Sequence, residues 1–178
     1  MEFYPLLFCP IYKKTLWGGQ KIRSLADCHA PIGTVGERWD ICDRDDGQSI
    51  VQNGYLQGQT IGELVTAYPR QILGVKEYRG PFPILVKLID AQKDLSLQVH
   101  PDKYLAACLG DEEKNEMWYV LGHAENSYIC DGLVEGTTRQ DFMRSMVYGS
   151  IKKHLKMYHS KQGDCYYIPS RTVHSIGA

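Results

Sequence analysis

The chain has 178 residues, of which 43% are hydrophobic and 23% are charged, and its formal net charge at neutral pH is −1. This length and composition are typical of one soluble globular domain with a sizeable core. The near-zero charge gives no electrostatic basis for binding nucleic acid or an anionic membrane, and no segment approaches the roughly 20 apolar residues of a membrane span.

The cysteines and the first residues of the chain indicate the compartment. Six cysteines are scattered without a Cys-x-x-Cys pair, which favours reduced thiols over a disulfide framework. The chain begins without a basic region ahead of its short apolar run, so a signal peptide is not expected. We therefore predict a cytoplasmic protein. Cys165, in a predicted strand that leads to His174, is interpreted as a small buried residue and not as a metal ligand.

The sequence predicts three helices, over residues 60–74, 102–109 and 138–149. Thr60 with Glu63 and Thr138 with Asp141 form capping boxes at the starts of the first and third helices. Each helix ends at or beside a glycine, which is a common helix stop. The apolar residues of the first and third helices follow helical spacing, and we interpret them as core packing.

The rest of the chain predicts short strands, over residues 3–8, 38–42, 49–52, 84–90, 96–100, 117–121, 128–131, 155–159, 165–169 and 173–176. Many short strands separated by glycine-containing turns are typical of sandwiches and barrels, including jelly rolls. The predicted fold class is therefore mainly β with a few peripheral helices. If the barrel is incomplete, its open strand edges invite pairing with another chain, so we expect either a homodimer through those edges or poor solubility.

Four polar side chains in these apolar and aromatic runs have the chemistry of metal ligands. Gln98 and His100 are two residues apart, so on a strand they point to the same face, and Pro101 ends that strand. Glu116 adds a carboxylate and His174 a second imidazole. Two imidazoles, one carboxylate and one amide oxygen suit zinc or another first-row divalent ion, with room left for water or substrate.

The segments that carry these residues, 95–101, 114–121 and 163–174, resemble three patterns of the zinc-dependent type I mannose-6-phosphate isomerases (phosphomannose isomerases). These are Gln-x-His-Pro, Lys-x-Glu-x-Trp-Tyr and Gly-x5-Pro-x3-Thr/Val-His, and they occur in the family's order. Earlier segments agree, at residues 14–19, 36–39, 53–58 and 85–90. The resemblance runs from about Tyr12 to Ala178, and the ordered combination is specific.

The resemblance implies a cupin-type jelly-roll barrel, with a C-terminal end that can be incomplete in a chain of this length. It implies a single cupin-like metal-binding domain over residues 1–178 that looks like the N-terminal part of a longer family architecture. Family members usually continue well past the second metal histidine and add an arginine thought to assist catalysis, whereas this chain has four residues after His174.

For function, the resemblance implies a zinc-dependent aldose–ketose isomerase that interconverts mannose 6-phosphate and fructose 6-phosphate. It implies one Zn²⁺ per chain, held by four metal ligands: Gln98, His100, Glu116 and His174. Lys114 shares the strand face of Glu116, and the family uses the matching lysine in its active site. We therefore assign Lys114 to substrate contact and proton transfer. Ser96, on the face of Gln98, is either a contact for phosphate or hydroxyl or an ordinary strand serine.

One position departs from the family pattern. Arg171 stands where the family normally has glycine, and glycine there suggests a positive backbone φ or a close approach. We expect the Arg171 side chain on the surface and not in the cavity. Trp17, Glu37 and Trp39 also match family positions, although packing explains the tryptophans equally well. The remaining histidines have no ligand context: His29, His123, His154 and His159.

Two other functions fit the same residues. The first is a non-catalytic metal-containing cupin that binds a sugar phosphate. The second is a cupin oxygenase that uses iron, since its ligand types are similar. Isomerase activity with zinc, as opposed to oxygen uptake with iron, would distinguish the isomerase from the oxygenase.

Overall fold

A computed structural model describes residues 3–25 and 30–178 of the chain. Cys28 and His29, which figure in the sequence predictions, lie outside these residues. The chain divides into two compact units, one that runs to Gln92 and one from Lys93 to Ala178. The single domain over residues 1–178 stays a prediction. Within the described part of the chain, every helix is too short or too polar to span a membrane.

The first unit contains five strands and three α-helices among its described residues. In chain order they are β1 (Ile11–Lys13), α1 (Lys21–Leu25), β2 (Glu37–Ile41), β3 (Asp43–Arg44), β4 (Gly47–Gln48), α2 (Ile61–Ala67), α3 (Pro69–Leu73) and β5 (Val86–Ile89), with a 3₁₀ turn at Gly54–Leu56. The antiparallel sheet β1-β2-β5 and the hairpin β3-β4 are its sheets.

The helix predicted over residues 60–74 is two helices. Its predicted start is confirmed, because the Thr60 side chain accepts a hydrogen bond from the backbone of Glu63 and the Glu63 carboxylate accepts one from the backbone of Thr60. The break falls at Tyr68, whose φ of −135° and ψ of 52° are not helical. Pro69 explains the break, since proline disfavours the helical conformation in the residue before it and suits the first position of a new helix. Gly74 ends α3 with a φ of 74°.

The strands predicted over residues 3–8 and 49–52 are absent as regular strands. Only the isolated bridges Phe8↔Val51 and Ile50↔Thr60 remain of them. Pro5 removes one donor from the first segment, and Pro10 removes another just beyond its end. Asn53 supplies side-chain contacts instead, because its Oδ1 accepts from the Leu7 backbone at 2.9 Å and its Nδ2 donates to the carbonyl of residue 5. The core of the unit lies here, around Val51, Leu56 and Leu64.

The second unit contains five strands and two α-helices. In chain order they are α4 (Lys103–Leu109), β6 (Glu116–Tyr119), β7 (Tyr128–Leu133), α5 (Arg139–Val147), β8 (Leu155–His159), β9 (Cys165–Ile168) and β10 (His174–Ile176), with a 3₁₀ turn at Ile151–His154. The sheets are antiparallel, with the orders β10-β7-β8 and β6-β9. The predicted helix starts are confirmed, by Asp102 as the N-cap of α4 and by the Thr138 capping box of α5.

The strand predicted over residues 96–100 is reduced to one bridge. Gln98 pairs with His174 through two backbone hydrogen bonds, each of 2.9 Å, and Leu95 donates to the carbonyl of Ile176 at 2.9 Å. The pairing stops there because Pro101 has no N–H and Asp102 already caps α4. The mainly β class is nevertheless confirmed, and the bridge places Gln98 beside a predicted metal ligand.

Candidate metal centre

Three predicted ligands come together in the second unit. The imidazoles of His100 and His174 and the carboxylate of Glu116 place their ligand atoms within 4.8 Å of one another. Nε2 of His100 lies 3.3 Å from Oε1 of Glu116, and Nε2 of His174 lies 3.7 Å from Oε2. Glu116 begins β6, His174 begins β10, and His100 follows the Gln98 bridge. Among the described residues this is the one group of at least three potential ligands.

The two imidazoles leave buried nitrogen atoms unsatisfied. Nε2 of His100 and Nε2 of His174 are buried and have no hydrogen-bond partner in the described structure. Nδ1 of His174 lies 2.8 Å from the carbonyl oxygen of Thr172. A carbonyl only accepts, so Nδ1 carries the hydrogen and Nε2 keeps its lone pair. A buried, unpaired nitrogen is unfavourable, and a cation between these atoms would satisfy both. The donor set therefore fits a divalent metal.

The electrostatics favour the protonation states that a metal requires. Burial alone would raise the pKa of Glu116, but the hydrogen bond and charge of Lys114, together with the two imidazoles, hold that pKa below its ordinary value. Burial, and then the charge of Lys114, lowers the pKa of His100. Glu116 is therefore ionised and His100 neutral at neutral pH, which are the forms that coordinate a cation.

The alternation of β6 explains why these side chains meet. Residues two apart on a strand share a face, so Lys114, just before β6, converges with Glu116 as predicted, and Trp118 joins them. Nζ of Lys114 lies 2.8 Å from Oε1 of Glu116, and Nε1 of Trp118 donates to Oε2 at 3.1 Å. Met117 and Tyr119 point away from the site and are 70% and 61% exposed. β6 and the residues just before it thus present the Glu116 carboxylate with one donor at each oxygen, Lys114 at Oε1 and Trp118 at Oε2.

Gln98 and Ser96 lie next to the three ligands along the chain. The mutual backbone bonds of Gln98 and His174 put their side chains on one face of the pair. The Gln98 side chain is exposed, and its Nε2 lies 3.3 Å from Oγ of Ser96, which confirms that these two side chains share a face. The role of Gln98 as a ligand and the role of Ser96 as a substrate contact stay predictions.

Arg171 adopts the backbone conformation expected of the glycine it replaces. Its φ is 68°, and it is the one non-glycine residue with a positive φ in the described ranges. Its backbone N–H donates to the carbonyl of His100 at 2.7 Å. Its side chain is 75% exposed and reaches Oδ2 of Asp102 at 3.4 Å, so the predicted surface position is confirmed.

The structure also bears on Cys165 and on the remaining described histidines, and the predicted burial of Cys165 is wrong. Cys165 is exposed and not buried, because it pairs with Tyr119 on the outward face of the β6-β9 sheet. His123, His154 and His159 take no part in the ligand group, as predicted.

Sequence reasoning missed three contacts around the candidate ligands. They are the Trp118 hydrogen bond to Glu116, the Thr172 carbonyl that orients His174, and the second role of Asp102, whose Oδ2 pairs with Arg171 while Oδ1 caps α4. The Glu-x-Trp spacing was the available signal for the first, since it occurs at both 37–39 and 116–118. The other two depend on backbone geometry that a sequence does not display.

Residues 6–143 match the family described as "Phosphomannose isomerase type I, catalytic domain". The chain is 35% identical to mannose-6-phosphate isomerase ManA of Bacillus subtilis, over 99% of the chain and 56% of that protein. It is 34% identical to the mannose-6-phosphate isomerase of Streptococcus mutans, over 97% of the chain and 54% of that protein. The chain thus spans about half the length of the curated relatives it matches.

Solved structures of mannose 6-phosphate isomerases also match this chain over nearly all of its length. The crystal structure of the Bacillus subtilis mannose 6-phosphate isomerase matches with a TM-score of 0.88 and 32% identity, covering 97% of this chain and 55% of that one. The Salmonella typhimurium enzyme, bound to substrate and a zinc atom, matches with a TM-score of 0.61 and 12% identity, covering 97% of this chain and 66% of that one. At that identity the second likeness shows the fold alone. These likenesses confirm the predicted fold class, and the chain belongs to the type I phosphomannose isomerase family.

Proposed function

We propose that the chain is a zinc-dependent aldose–ketose isomerase that interconverts mannose 6-phosphate and fructose 6-phosphate. The observation that carries the proposal is the pair of buried, unpartnered imidazole nitrogens that face an ionised carboxylate. Family membership supports the reaction class. The metal and the substrate are proposed by analogy with the Salmonella typhimurium enzyme of the same fold, which binds substrate and a zinc atom.

Four residues would hold one zinc ion per chain: His100, Glu116 and His174, with Gln98 as the fourth ligand. When bound, zinc supplies Lewis-acid chemistry that polarises a sugar carbonyl without redox activity. The tautomer of His174 is set by the Thr172 carbonyl, and Lys114 keeps Glu116 ionised. The protein therefore holds its donors in the charge state that zinc prefers.

Lys114 is the proposed catalytic residue. The reaction moves a proton between C1 and C2 of the sugar, so it needs a titratable group beside the polarised carbonyl. Nζ of Lys114 lies 2.8 Å from Glu116, and its side chain is 34% exposed, so a sugar phosphate can reach it. We place the substrate contact and the proton transfer at Nζ. Ser96 is an exposed residue two positions before Gln98, and its hydroxyl would contact the phosphate or a sugar hydroxyl.

Further observations support the proposed domain organisation, location and partners of the enzyme. The family match over residues 6–143 crosses both units, which supports a single cupin-like metal-binding domain. The described cysteines are free thiols, which supports a cytoplasmic location. β8 lies at an edge of its sheet, which supports a homodimer through open edges. The proposed partner is a small sugar phosphate, and the net charge of −1 gives no electrostatic basis for binding nucleic acid or an anionic membrane.

The test is coupled detection of fructose 6-phosphate formed from mannose 6-phosphate, with zinc added or chelated. We expect zinc-dependent turnover in the wild-type chain. His174→Ala should lower the turnover by about a hundredfold or more, because a ligand to the group that stabilises developing charge is lost. The matched control is His159→Ala, since His159 is exposed and outside the ligand group.

Three outcomes would contradict this function. Isomerase activity that survives metal removal would exclude the metal mechanism. Stoichiometric zinc binding without turnover would favour the non-catalytic sugar-phosphate cupin. Oxygen uptake that depends on iron, with no isomerase activity under zinc, would favour the oxygenase.

A further inference from the structure

Trp118 contacts two of the candidate ligands at once. Its indole N–H donates to Oε2 of Glu116 at 3.1 Å. Its ring meets the imidazole of His174 edge-on, with centroids 5.6 Å apart and planes inclined at 70°. An indole N–H is a donor only, so Trp118 cannot itself bind a cation. Any role it has in a metal centre therefore acts through Glu116 and His174.

The hydrogen bond completes a clamp on the Glu116 carboxylate. Oε1 is held by Nζ of Lys114 at 2.8 Å, and Oε2 is held by the indole of Trp118. The terminal torsion of a glutamate is broad and roughly two-fold, so an unrestrained carboxylate turns easily. One donor at each oxygen fixes the plane of the group, with Oε1 toward His100 and Oε2 toward His174.

The edge contact restrains the imidazole in the same way. His174 is 2% exposed, and its Nδ1 is tied to the Thr172 carbonyl. That bond restrains the ring at Nδ1, and the indole ring of Trp118 restrains it at a second place because the two rings pack at a steep angle. The orientation of a ligating imidazole is set by such outer contacts.

We infer that Trp118 is a positioning residue of the metal centre, which orients the Glu116 carboxylate through its N–H and the His174 imidazole through its ring. The inference rests on the proposed metal site. It predicts that loss of the N–H weakens zinc binding even when the aromatic ring is retained. A residue that only packs in the core would not show that effect.

The first unit contains the same clamp without the imidazoles. Nε1 of Trp39 donates to Oε2 of Glu37 at 2.6 Å, and Nζ of Lys87 lies 2.9 Å from Oε1. Within the described residues, Glu37 belongs to no group of three or more potential ligands. The same substitution at Trp39 therefore removes an equivalent hydrogen bond from a carboxylate that is not one of the candidate ligands, and Trp39→Phe is a matched control for Trp118→Phe.

The experiment measures the zinc dissociation constant of the full chain by competition with a chromophoric chelator. We expect Trp118→Phe to weaken zinc binding about tenfold, which is the effect typical of lost outer contacts at a metal site. Trp39→Phe should stay within about twofold of wild type, as expected of an independent site. The visible absorption of the Co²⁺-loaded chain should change in Trp118→Phe and not in Trp39→Phe.

Folding is controlled by the thermal unfolding of each metal-free variant, followed by circular dichroism. If Trp118→Phe does not fold, the substitute is a tryptophan isostere in which sulfur replaces the indole N–H, since it keeps the shape of the ring. Wild-type affinity in the variant without the N–H would overturn the inference, and so would equal losses at Trp118 and Trp39. Failure of the wild-type chain to bind zinc would overturn the proposed function itself, and the inference with it.

Discussion

At the scale of single residues, the candidate site depends on which atoms of a few side chains are already occupied. Nδ1 of His174 is taken by the Thr172 carbonyl, and both oxygens of Glu116 have donors. Nε2 of His174 and Nε2 of His100 remain without a hydrogen-bond partner, and both lie close to the Glu116 carboxylate. These buried nitrogens without hydrogen-bond partners distinguish a ligand set from a chance cluster of polar groups.

Arg171 gives the first prediction at this scale, because its backbone is left-handed at a position where the family normally has glycine. Arg171→Gly and Arg171→Ala both remove the guanidinium, so the exposed ion pair to Asp102 cancels from their comparison. The glycine variant should be more stable than the alanine variant by about 1 kcal/mol, since only alanine keeps the Cβ that disfavours a φ of 68°. Urea unfolding of the two variants measures the difference. Equal stability, or a more stable alanine variant, would contradict this account of the turn.

At the scale of elements, short pieces of chain are joined to one another by side chains as much as by sheet bonds. Asp94 is the clearest case in the second unit. Its Oδ2 accepts from the Tyr128 hydroxyl at 2.7 Å and from Nζ of Lys152 at 3.0 Å, and its Oδ1 accepts from the backbone of Ala178 at 3.1 Å. One carboxylate thus links β7, the 3₁₀ turn before β8 and the residues after β10.

This link predicts a pH dependence of stability. The Tyr128 hydroxyl, followed by the Ala178 backbone N–H, holds the pKa of Asp94 below its ordinary value of 3.8. A lowered pKa in the folded state means that the contribution is complete above the ordinary value and is lost as pH falls through the native pKa. Asp94→Asn should therefore lower the free energy of unfolding by up to about 1 kcal/mol at pH 7, with a smaller effect toward pH 3.

The measurement is urea unfolding of the wild type and of Asp94→Asn at several pH values. Glu125→Gln is the control, since Glu125 is an exposed carboxylate of the same unit. A destabilisation by Asp94→Asn that is constant from pH 7 to pH 3 would show that the charge of Asp94 has no part in the link.

At the scale of the whole molecule, the sequence predicts helix starts and shared faces of side chains better than it predicts the bounds of the strands. The alternation of side chains on β6 is local, so the shared face of Lys114, Glu116 and Trp118 could be derived from spacing alone. The capping boxes at Thr60 and Thr138 are local as well, and both are confirmed.

Predictions fail where a distant group replaces a local preference. Residues 3–8 have the composition of a strand, but the side chain of Asn53, far along the chain, takes their backbone bonds. The Gln98 segment pairs with β10 only at isolated points, which depends on the path of both segments. The exposure of Cys165 follows from its register with Tyr119, and register is fixed by pairing between strands and not by residue type. The division of the chain into two units also has no counterpart in its composition.

The most direct test of the metal centre is anomalous diffraction at the zinc absorption edge from crystals of the zinc-loaded chain. The account predicts one anomalous peak per chain, in contact with Nε2 of His100, Nε2 of His174 and the carboxylate of Glu116, because the two nitrogens are buried and otherwise unsatisfied and the carboxylate lies beside them. The peak should disappear in His174→Ala. A zinc ion bound at other residues, or no peak beside these three side chains at full loading, would contradict the central claim.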